Sequence, residues 1–525
     1  MDRLFVFDST LRDGAQGESI SFSVNDKLNI LKLLDGLGIP YIEAGNPSSN
    51  PKDREFFEKA SHIALKHAKL VAFGSTRRPG SHAAEDAGLD ALLSARTEVV
   101  AIFGKASAFH VEQVLRTSRE ENLRMIEDSI RFLAANGRTV FFDAEHYFDG
   151  YREDPAYAMQ VVRTAAHAGA ACVILCDTNG GTLPHDIYQG VQSVCQAVEV
   201  PVGIHCHNDI GCAVANSLMA VQAGAVQVQG TLLGFGERCG NANLSALIPS
   251  LQLKMGYDCI PPEQMENLTR CVRAVGEASN IVPDNGMPYV GKSAFAHKGG
   301  MHIDGVKKVP SSFEHIDPAL VGNSRSLLIS EVSGRAAVAG MVGDDPHHAE
   351  AAEIVQMVKE QEHEGFQYEY ASASLQLLIL HRKHKLAPYF EVIYSRTIGE
   401  QRGNWEGTGN GSSAVVKVRV GENCEIGGGE GEGPVHALDC ALRKAVGRFY
   451  PSIEDVRLID YKVRVIEPQD ATAAKVRVLV ESTDGKDVWT TVGVSRDIIQ
   501  ASLQACVDAV EYKLWMEQKM REGQK

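Results

Sequence analysis

The chain of 525 residues lacks long apolar runs and any clustering of positive charge. No uncharged apolar stretch is long enough to suggest a membrane span, and Met1, Asp2 and Arg3 lead into a short strand-like segment without a signal-like pattern. The formal net charge is -15. Because phosphate binding needs clustered Lys and Arg, we expect no nucleic-acid partner, and we expect no association with a membrane.

The 11 cysteines are scattered, odd in number and free of Cys-x-x-Cys spacing. These features disfavour a disulfide framework and indicate reduced thiols, so we predict a cytoplasmic protein. The length exceeds the size at which one hydrophobic core keeps growing. Two or more domains are therefore expected.

Short β-rich runs alternate with helical stretches through the first half of the chain. The first helical stretch is 24–36, in which Leu28, Leu31 and Leu34 share one face. Alternation repeated about eight times is the pattern of a (β/α)8 or TIM barrel, whose loops after the strands build the active site. The sequence therefore predicts an α/β protein with a catalytic TIM barrel over residues 1–270. The predicted strands are 5–7, 41–43, 70–73, 99–103, 139–142, 172–176, 202–205 and 226–229.

The regular alternation ends near residue 250, and a different pattern follows. We predict helical linker subdomains over residues 271–385, with a charged connector helix at 345–362, and a C-terminal α+β regulatory domain over residues 386–525. Two similar strand-strand-strand-helix (βββα) units indicate that this last domain is internally duplicated. The predicted strands are 391–395, 414–420, 457–465, 475–481 and 488–494, and the predicted helices are 434–449 and 497–515.

Two histidines, His205 and His207, end the seventh predicted strand and are candidate metal ligands. Side chains alternate faces along a strand, so both imidazoles point the same way. Such a pair alone is equally compatible with hydrogen-bonded rim residues. Asp13 and Asn241 favour a metal, because they follow the first and eighth strands, and the seventh, eighth and first strands are consecutive neighbours in a closed barrel. We therefore predict an open, catalytic site for a divalent metal, whose ligands are Asp13, His205, His207 and Asn241. This set of ligands does not distinguish among Mg, Mn, Zn and Co.

Other polar residues follow the predicted strands and fall on the same rim. Arg12 could form a surface ion pair with Asp13, which is the common fate of such neighbours. Beside a metal, the same guanidinium would stabilise negative charge on a carbonyl oxygen, and we favour that catalytic role. Glu145 is favoured for a functional role, whereas Glu43 and Asp143 could equally be structural.

The glycine-rich run Gly427–Pro434 could suggest a phosphate-binding loop. It lacks the Gly-Lys-Ser/Thr ending, and its glutamates would repel phosphate. We interpret the run as a flexible wall of a small-ligand or subunit-interface site, with Pro434 in the first turn of the next helix.

Three segments carry a family resemblance: Leu11–Gln16 followed by Lys27, Ile204–Gly211, and Gly236–Asn241. They resemble the signatures of the 2-isopropylmalate, homocitrate and citramalate synthases, a family of metal-dependent barrel acyltransferases. The resemblance spans almost the whole chain, including the duplicated C-terminal domain. The segments that most resemble the citramalate synthase branch are 42–47, 143–150 and 176–181.

The resemblance implies roles for individual residues, and its metal site corresponds to the four ligands named above. Arg12 would lie near the ketone carbonyl of a 2-oxo acid, and Thr178 near its carboxylate. Glu145 would lie near the reacting carbonyls, and His302 would be the base, or its relay, that deprotonates acetyl-CoA. We also assign Asn46 to substrate binding.

The resemblance implies an acyltransferase that condenses acetyl-CoA with pyruvate in a Claisen reaction, giving (R)-citramalate and CoA on the route to isoleucine. It also implies a homodimer whose C-terminal domain responds to isoleucine. The alternative is a 2-isopropylmalate synthase, which takes 2-oxoisovalerate on the route to leucine. An acyl-CoA lyase of the same barrel superfamily is less favoured, because such lyases generally lack the C-terminal domain. A non-catalytic sensor is less favoured because the set of site residues is complete.

One position departs from the family pattern. Phe313 stands where many relatives have a tyrosine whose hydroxyl contributes to the site. Phenylalanine cannot donate a hydrogen bond. Either another donor replaces that hydroxyl, or the hydroxyl is dispensable in this chain.

Overall fold

The computed structural model describes residues 2–327, 349–382, 386–399, 411–466 and 474–523. The chain divides into two compact units. The first is Met1–Phe295 with Ile316–Arg325, and the second is Ala296–His315 with Ser326–Lys525. Among the described residues, we find no helix with the length and apolarity needed to cross a bilayer.

The first unit contains a closed barrel of eight parallel strands in sequential order, which confirms the predicted TIM barrel. A π-helical segment, His110–Leu115, follows the fourth strand. The strands are β1 (Phe5–Asp8), β2 (Tyr41–Glu43), β3 (Lys69–Ser75), β4 (Val99–Lys105), β5 (Thr139–Glu145), β6 (Cys172–Asp177), β7 (Val202–Cys206) and β8 (Gln227–Gly230). The helices are α1 (Val24–Leu37), α2 (Pro51–Ala60), α3 (Ala87–Ser94), α4 (Arg119–Ala135), α5 (Tyr147–Glu153), α6 (Pro155–Ala168), α7 (Pro184–Cys195), α8 (Ala213–Gln222), α9 (Leu244–Pro249) and α10 (Leu268–Ala278).

Helix α1 shows how the outer layer forms from the sequence. It starts with a reciprocal capping box, in which Ser23 accepts from the backbone of Asp26 while the Asp26 carboxylate accepts from the backbone of Ser23. It ends at Gly38, whose φ of 90° is left-handed and suits glycine. Ile30 belongs to the apolar stripe of α1 and is fully buried against the barrel. The apolar stripe therefore determines which face of α1 packs inward.

Alternate side chains of the strands fill the barrel interior. At the carboxyl ends of the strands, the inward-facing residues are polar. They include Asp143 and Glu145 on β5 and His205 on β7. The barrel therefore directs these polar groups into the mouth above an apolar floor. That floor consists of Phe7, Val71, Val99, Ala101, Phe141, Cys172, Ile174 and Cys176.

The second unit contains two antiparallel three-stranded sheets, each followed by a helix, which confirms the predicted pair of βββα units. Its short parallel pair is β9 (Ala296–His297) with β10 (Ser326–Leu327). Residues 345–348 of the predicted connector helix lie outside the described residues, and the predicted domain boundaries at 270 and 385 stay predictions. The remaining elements are α11 (Gly300–Lys308), α12 (Ala349–His363), α13 (Ser372–Arg382), β11 (Glu391–Gly399), β12 (Ser412–Val420), β13 (Asn423–Gly431), α14 (Pro434–Gly447), β14 (Arg457–Val465), β15 (Val476–Thr483), β16 (Val488–Ser495) and α15 (Ile498–Gly523).

Most of the glycine-rich run is a β-strand and not a flexible loop, so the predicted flexibility was wrong, whereas its place in the wall of a small-ligand or subunit-interface site stays a prediction. Gly427 to Gly431 belong to β13, which pairs in register with β12 and lies under α14. A Cβ on Gly427 would stand 2.1 Å from the carbonyl oxygen of Ala441, and one on Gly429 would stand 2.4 Å from that of Ala437. The glycines are therefore present because the helix backbone approaches the strand too closely for a side chain.

We expect Gly427→Ala to lower the free energy of unfolding by about 1–3 kcal/mol, because the added methyl overpacks the contact with α14. The matched control is Gly428→Ala, since a Cβ there meets no atom within 4 Å. Urea unfolding of both variants, followed by far-ultraviolet circular dichroism, measures the difference. Equal stability of the two variants would contradict the close strand-helix contact.

Candidate active site

Three side chains from distant parts of the sequence converge at the barrel mouth. Asp13 Oδ2 lies 3.3 Å from His205 Nε2 and 3.8 Å from His207 Nε2. The two Nε2 atoms are 3.4 Å apart, and all three residues are buried. One carboxylate oxygen and two imidazole nitrogens facing one point form a donor set that fits a divalent metal ion.

Strand order explains this convergence. β1 pairs with β8, and β8 pairs with β7, so only β8 separates the strand before the Asp13 loop from the strand at whose end the two histidines lie. The backbone of Asp13 is fixed by donating to Ser9 Oγ at 3.2 Å. The barrel therefore brings together residues almost two hundred positions apart.

Asn241 adjoins this group from the loop after β8. Its backbone forms an isolated antiparallel bridge with His207, and its Nδ2 donates to the carbonyl oxygen of Phe235 at 3.0 Å. That contact turns Oδ1 away from Phe235. Asn241 Oδ1 is buried without a hydrogen-bond partner in the described part of the chain. A buried acceptor in this position suits a fourth ligand, because unsatisfied buried polar atoms are costly.

A hydrogen-bond chain behind His205 fixes the orientation of its ring. His205 Nδ1 donates to Gln229 Oε1 at 3.0 Å, because an amide oxygen can only accept. Gln229 Nε2 in turn donates to Asp143 Oδ1 at 3.3 Å and to Gln227 Oε1 at 3.4 Å. This bond through Nδ1 turns His205 Nε2 toward Asp13, which is the orientation that a metal ligand requires.

The charges of the group perturb its proton affinities. Burial opposes ionisation of Asp13, but the Arg12 charge and the hydrogen bond from His205 outweigh it and hold the pKa of Asp13 well below its ordinary value. Burial, followed by the charge of His205, lowers the pKa of His207 to about 4. Burial, followed by the charge of Glu43, raises the pKa of Asp143 to about 7. His207 is therefore neutral at pH 7, with a lone pair available to a cation.

Arg12 is held beside Asp13 by charge and by an aromatic ring. Its Nε donates to Glu43 Oε2 at 2.6 Å, and its Nη1 lies 3.4 Å from Asp13 Oδ2. The guanidinium lies over the Phe73 ring, 3.8 Å from the centroid, and Phe73 stacks on Phe103 with centroids 5.5 Å apart. Arg12 is therefore a fixed, partly buried cation rather than a surface ion pair.

A cavity of about 260 Å³ opens above these groups. Glu145, which forms an ion pair with Lys105, faces into it. Thr178 faces into it as well, and its Oγ1 accepts from the backbone N–H of His146 at 2.8 Å. The other lining residues are Arg12, Asp13, Gln16, Phe73, Phe103, Asp143, Cys176, His205, His207, Glu237 and Arg238.

Besides Asn241, which adjoins the metal-ligand group, two predicted site residues do not line this cavity. Asn46 lines a neighbouring pocket, and its Oδ1 accepts from the backbone and hydroxyl of Ser48. His302 lies in α11 of the second unit, where its exposed ring stacks on Phe313 with centroids 4.2 Å apart. The predicted roles of both residues stay predictions.

Sequence reasoning missed the residues that support the site from inside the barrel. Gln229 stands opposite His205 in the β7–β8 register. Phe73 and Phe103 are likewise at alternate, inward-facing positions of β3 and β4. The period of two along each strand could have found all three, because it already placed His205 on the inner face.

Family models match the chain in three consecutive segments. A model described as HMGL-like matches residues 3–271, and one described as homocitrate synthase post-HMGL domain-like matches residues 289–365. A model of the LeuA allosteric (dimerisation) domain matches residues 369–514. The first match covers the whole barrel and the site.

Curated relatives match over their full lengths. An (R)-citramalate synthase from Aquifex aeolicus is 48% identical, covering 99% of each chain, and one from Geobacter sulfurreducens is 47% identical, covering 100% of each chain. A probable 2-isopropylmalate synthase from Methanopyrus kandleri is 34% identical, covering 97% of this chain and 98% of that one.

Among solved structures, hydroxymethylglutaryl-CoA lyase from Pseudomonas aeruginosa is similar with a TM-score of 0.45 and 20% identity. The match covers 52% of this chain and 93% of that chain. The chain belongs to the family of the (R)-citramalate and 2-isopropylmalate synthases.

Proposed function

We propose that this protein is an acyltransferase that condenses acetyl-CoA with pyruvate to give (R)-citramalate and CoA. The observation that carries the proposal is the buried Asp13–His205–His207 group beside Arg12 in one cavity, in a chain 48% identical to a full-length (R)-citramalate synthase. The 2-isopropylmalate synthase alternative has less support, since the relative of that name is 34% identical.

Asp13, His205 and His207 would hold a divalent metal, with Asn241 Oδ1 as a fourth ligand. The pairing of nitrogen and oxygen donors is compatible with Mg, Mn, Zn or Co. When bound, such an ion polarises a carbonyl oxygen as a Lewis acid. The residues of the chain then have to position the two substrates and move protons.

Arg12 is placed to stabilise the oxygen of the acceptor ketone as it gains negative charge, because its guanidinium is fixed by Glu43 and Phe73. Thr178 would donate its hydroxyl hydrogen to the acceptor carboxylate. His302 would be the base, or its relay, that takes the proton from the acetyl methyl group, and Glu145 would lie near the reacting carbonyls.

The bond changes follow from these roles. The acetyl methyl carbon loses a proton to the base and forms a carbon-carbon bond to the ketone carbon of pyruvate. The ketone π electrons move onto its oxygen, which then takes up a proton. Water cleaves the thioester and releases the CoA thiol together with the second carboxylic acid group of citramalate.

For the remaining chain, we propose that the segment matched by the LeuA domain model mediates a homodimer and responds to isoleucine. The support is the match over residues 369–514 and the duplicated βββα units within it. We likewise propose boundaries near 270 and 385 between barrel, linker and regulatory domain. The cytoplasmic location stays a prediction from composition.

Acceptor choice gives a direct prediction. The stacked rings of Phe73 and Phe103 line the cavity and offer an apolar wall for a methyl group, so pyruvate should have a kcat/KM at least about tenfold above that of 2-oxoisovalerate, within the range expected for added methyl groups. Steady-state CoA thiol release with pyruvate, 2-oxoisovalerate and 2-oxoglutarate measures this. Phe103→Ala should reduce the ratio of the two kcat/KM values, because the smaller side chain makes room for the branched acceptor. A preference for 2-oxoisovalerate in the unmodified protein would overturn the proposal.

Metal dependence gives a second prediction. Chelation should abolish turnover, and a divalent metal should restore it. His205→Ala should abolish turnover too, whereas the matched control His167→Ala, at an exposed position of α6, should retain it. Full turnover in His205→Ala would contradict the metal site.

The support of His205 by Gln229 gives a third prediction. Gln229→Leu removes the acceptor for His205 Nδ1, so metal affinity should fall by roughly 10- to 100-fold. Calorimetric titration of the metal into the chelated protein measures affinity without reference to activity. Unchanged affinity would show that Gln229 does not orient the ligand.

A further inference from the structure

The loop after β5 is joined to the loop after β6 by two polar contacts. The backbone N–H of His146 donates to Thr178 Oγ1 at 2.8 Å. Asn179 Nδ2 donates to Asp149 Oδ2 at 2.7 Å, and the same Asp149 oxygen lies 3.4 Å from His146 Nδ1. His146 therefore makes the first link directly and contacts Asp149, the acceptor of the second link, which lies in α5.

His146 has a backbone conformation that is uncommon for a residue with a side chain. Its φ of 59° and ψ of 33° are left-handed, at the point where β5 ends and α5 begins. Histidine is one of the few residues other than glycine enriched in this region. The conformation must be stabilised by contacts, because it is costly for most residues.

The His146 ring supplies such contacts. It lies flat on the ring of His110, with centroids 3.6 Å apart and planes 14° apart, and His146 is 9% exposed. His110 is itself anchored, since its Nδ1 lies 3.1 Å from Ser107 Oγ. Helix α5 also packs closely on the loop after β4, which carries His110, because a Cβ on Gly150 would lie 2.4 Å from the carbonyl oxygen of Ala106. This packing reinforces the stack of the two histidine rings.

The contact with His146 constrains the direction of the Thr178 hydroxyl hydrogen. Oγ1 already accepts a hydrogen bond from the His146 N–H, so its own hydrogen points elsewhere. The backbone carbonyl of Thr178 is held separately by Arg238 Nη2 at 2.7 Å. Thr178 lines the cavity above the Asp13 group. The hydroxyl is thereby set as a donor toward an anion bound in the cavity.

We propose that His146 is a positioning residue: held in the left-handed conformation against His110, it fixes Thr178 as the hydrogen-bond donor to the carboxylate of the 2-oxo acid. This inference rests on the proposed function, since it concerns the binding of that acceptor. His146 itself does not touch the substrate, and it acts through the Thr178 hydroxyl.

The test is a double-mutant cycle on the KM for pyruvate. His146→Val disfavours the left-handed conformation because valine is β-branched, and Thr178→Val removes the hydroxyl. Each variant should raise the KM for pyruvate roughly tenfold, the size expected for losing a hydrogen bond to a charged group. The double variant should raise it no further, because both changes remove the same interaction. His146→Asn should restore a nearly normal KM, since asparagine tolerates the left-handed region.

A matched control separates this role from general backbone strain. Arg96 has a φ of 56°, is exposed, and lies two residues after the end of α3. Arg96→Val should lower thermal stability while leaving the KM for pyruvate unchanged.

The outcomes distinguish this inference from the function on which it rests. No CoA release from pyruvate by the unmodified protein would overturn the proposed function. Normal activity of the unmodified protein, together with an unchanged KM in His146→Val or additive effects in the double variant, would overturn only the role of His146.

Discussion

Closure of the barrel between β1 and β8 is the constraint on which the rest of the site depends. Phe5 pairs with Gln227 and Asp8 with Gly230, and β7 continues this register by placing His205 opposite Gln229. A slip of one residue in any of these pairs would turn inward-facing side chains outward. The position of Asp13 against two histidines is therefore set by main-chain pairing, and no local motif could produce it alone.

Many charged groups are buried in this one cavity. The arrangement is stable only because each charged group has a partner. Burial alone would raise the pKa of Asp13, yet Arg12 and His205 keep it ionised. Arg12 is balanced in turn by Glu43, and breaking such a buried pair leaves an uncompensated charge. These contacts hold the charged groups in place without a bound substrate, and charges positioned in advance stabilise a transition state most effectively.

Much of this arrangement could be predicted from the sequence. Eight β-rich runs at a regular spacing predict the barrel. The order of strands in the barrel then predicts that Asp13, the two histidines and Asn241 lie close together. Those steps use periodicity and topology, which depend little on detailed packing.

Other features of the fold and of the site could not be predicted from the sequence. Gly427 and Gly429 were interpreted as part of a flexible wall, because glycine favours loops, whereas here a helix packed on a strand requires them. The roles of Gln229 and His146 depend on hydrogen bonds between segments far apart in sequence, 24 and 32 residues respectively. The period of two along a strand places Gln229 on the inner face of the barrel, but it does not show which partners Gln229 and His146 bind.

The central claim is that Asp13, His205 and His207 form a divalent metal site that receives a 2-oxo acid. Pulsed electron paramagnetic resonance of the protein loaded with Mn²⁺ tests it most directly, with pyruvate labelled by ¹³C at the carbonyl carbon. We expect couplings from two histidine nitrogens, of which one is lost in His205→Ala and the other in His207→Ala, and a new ¹³C coupling when pyruvate is added. Bound Mn²⁺ without histidine nitrogen couplings, or no ¹³C coupling at saturating pyruvate, would contradict it.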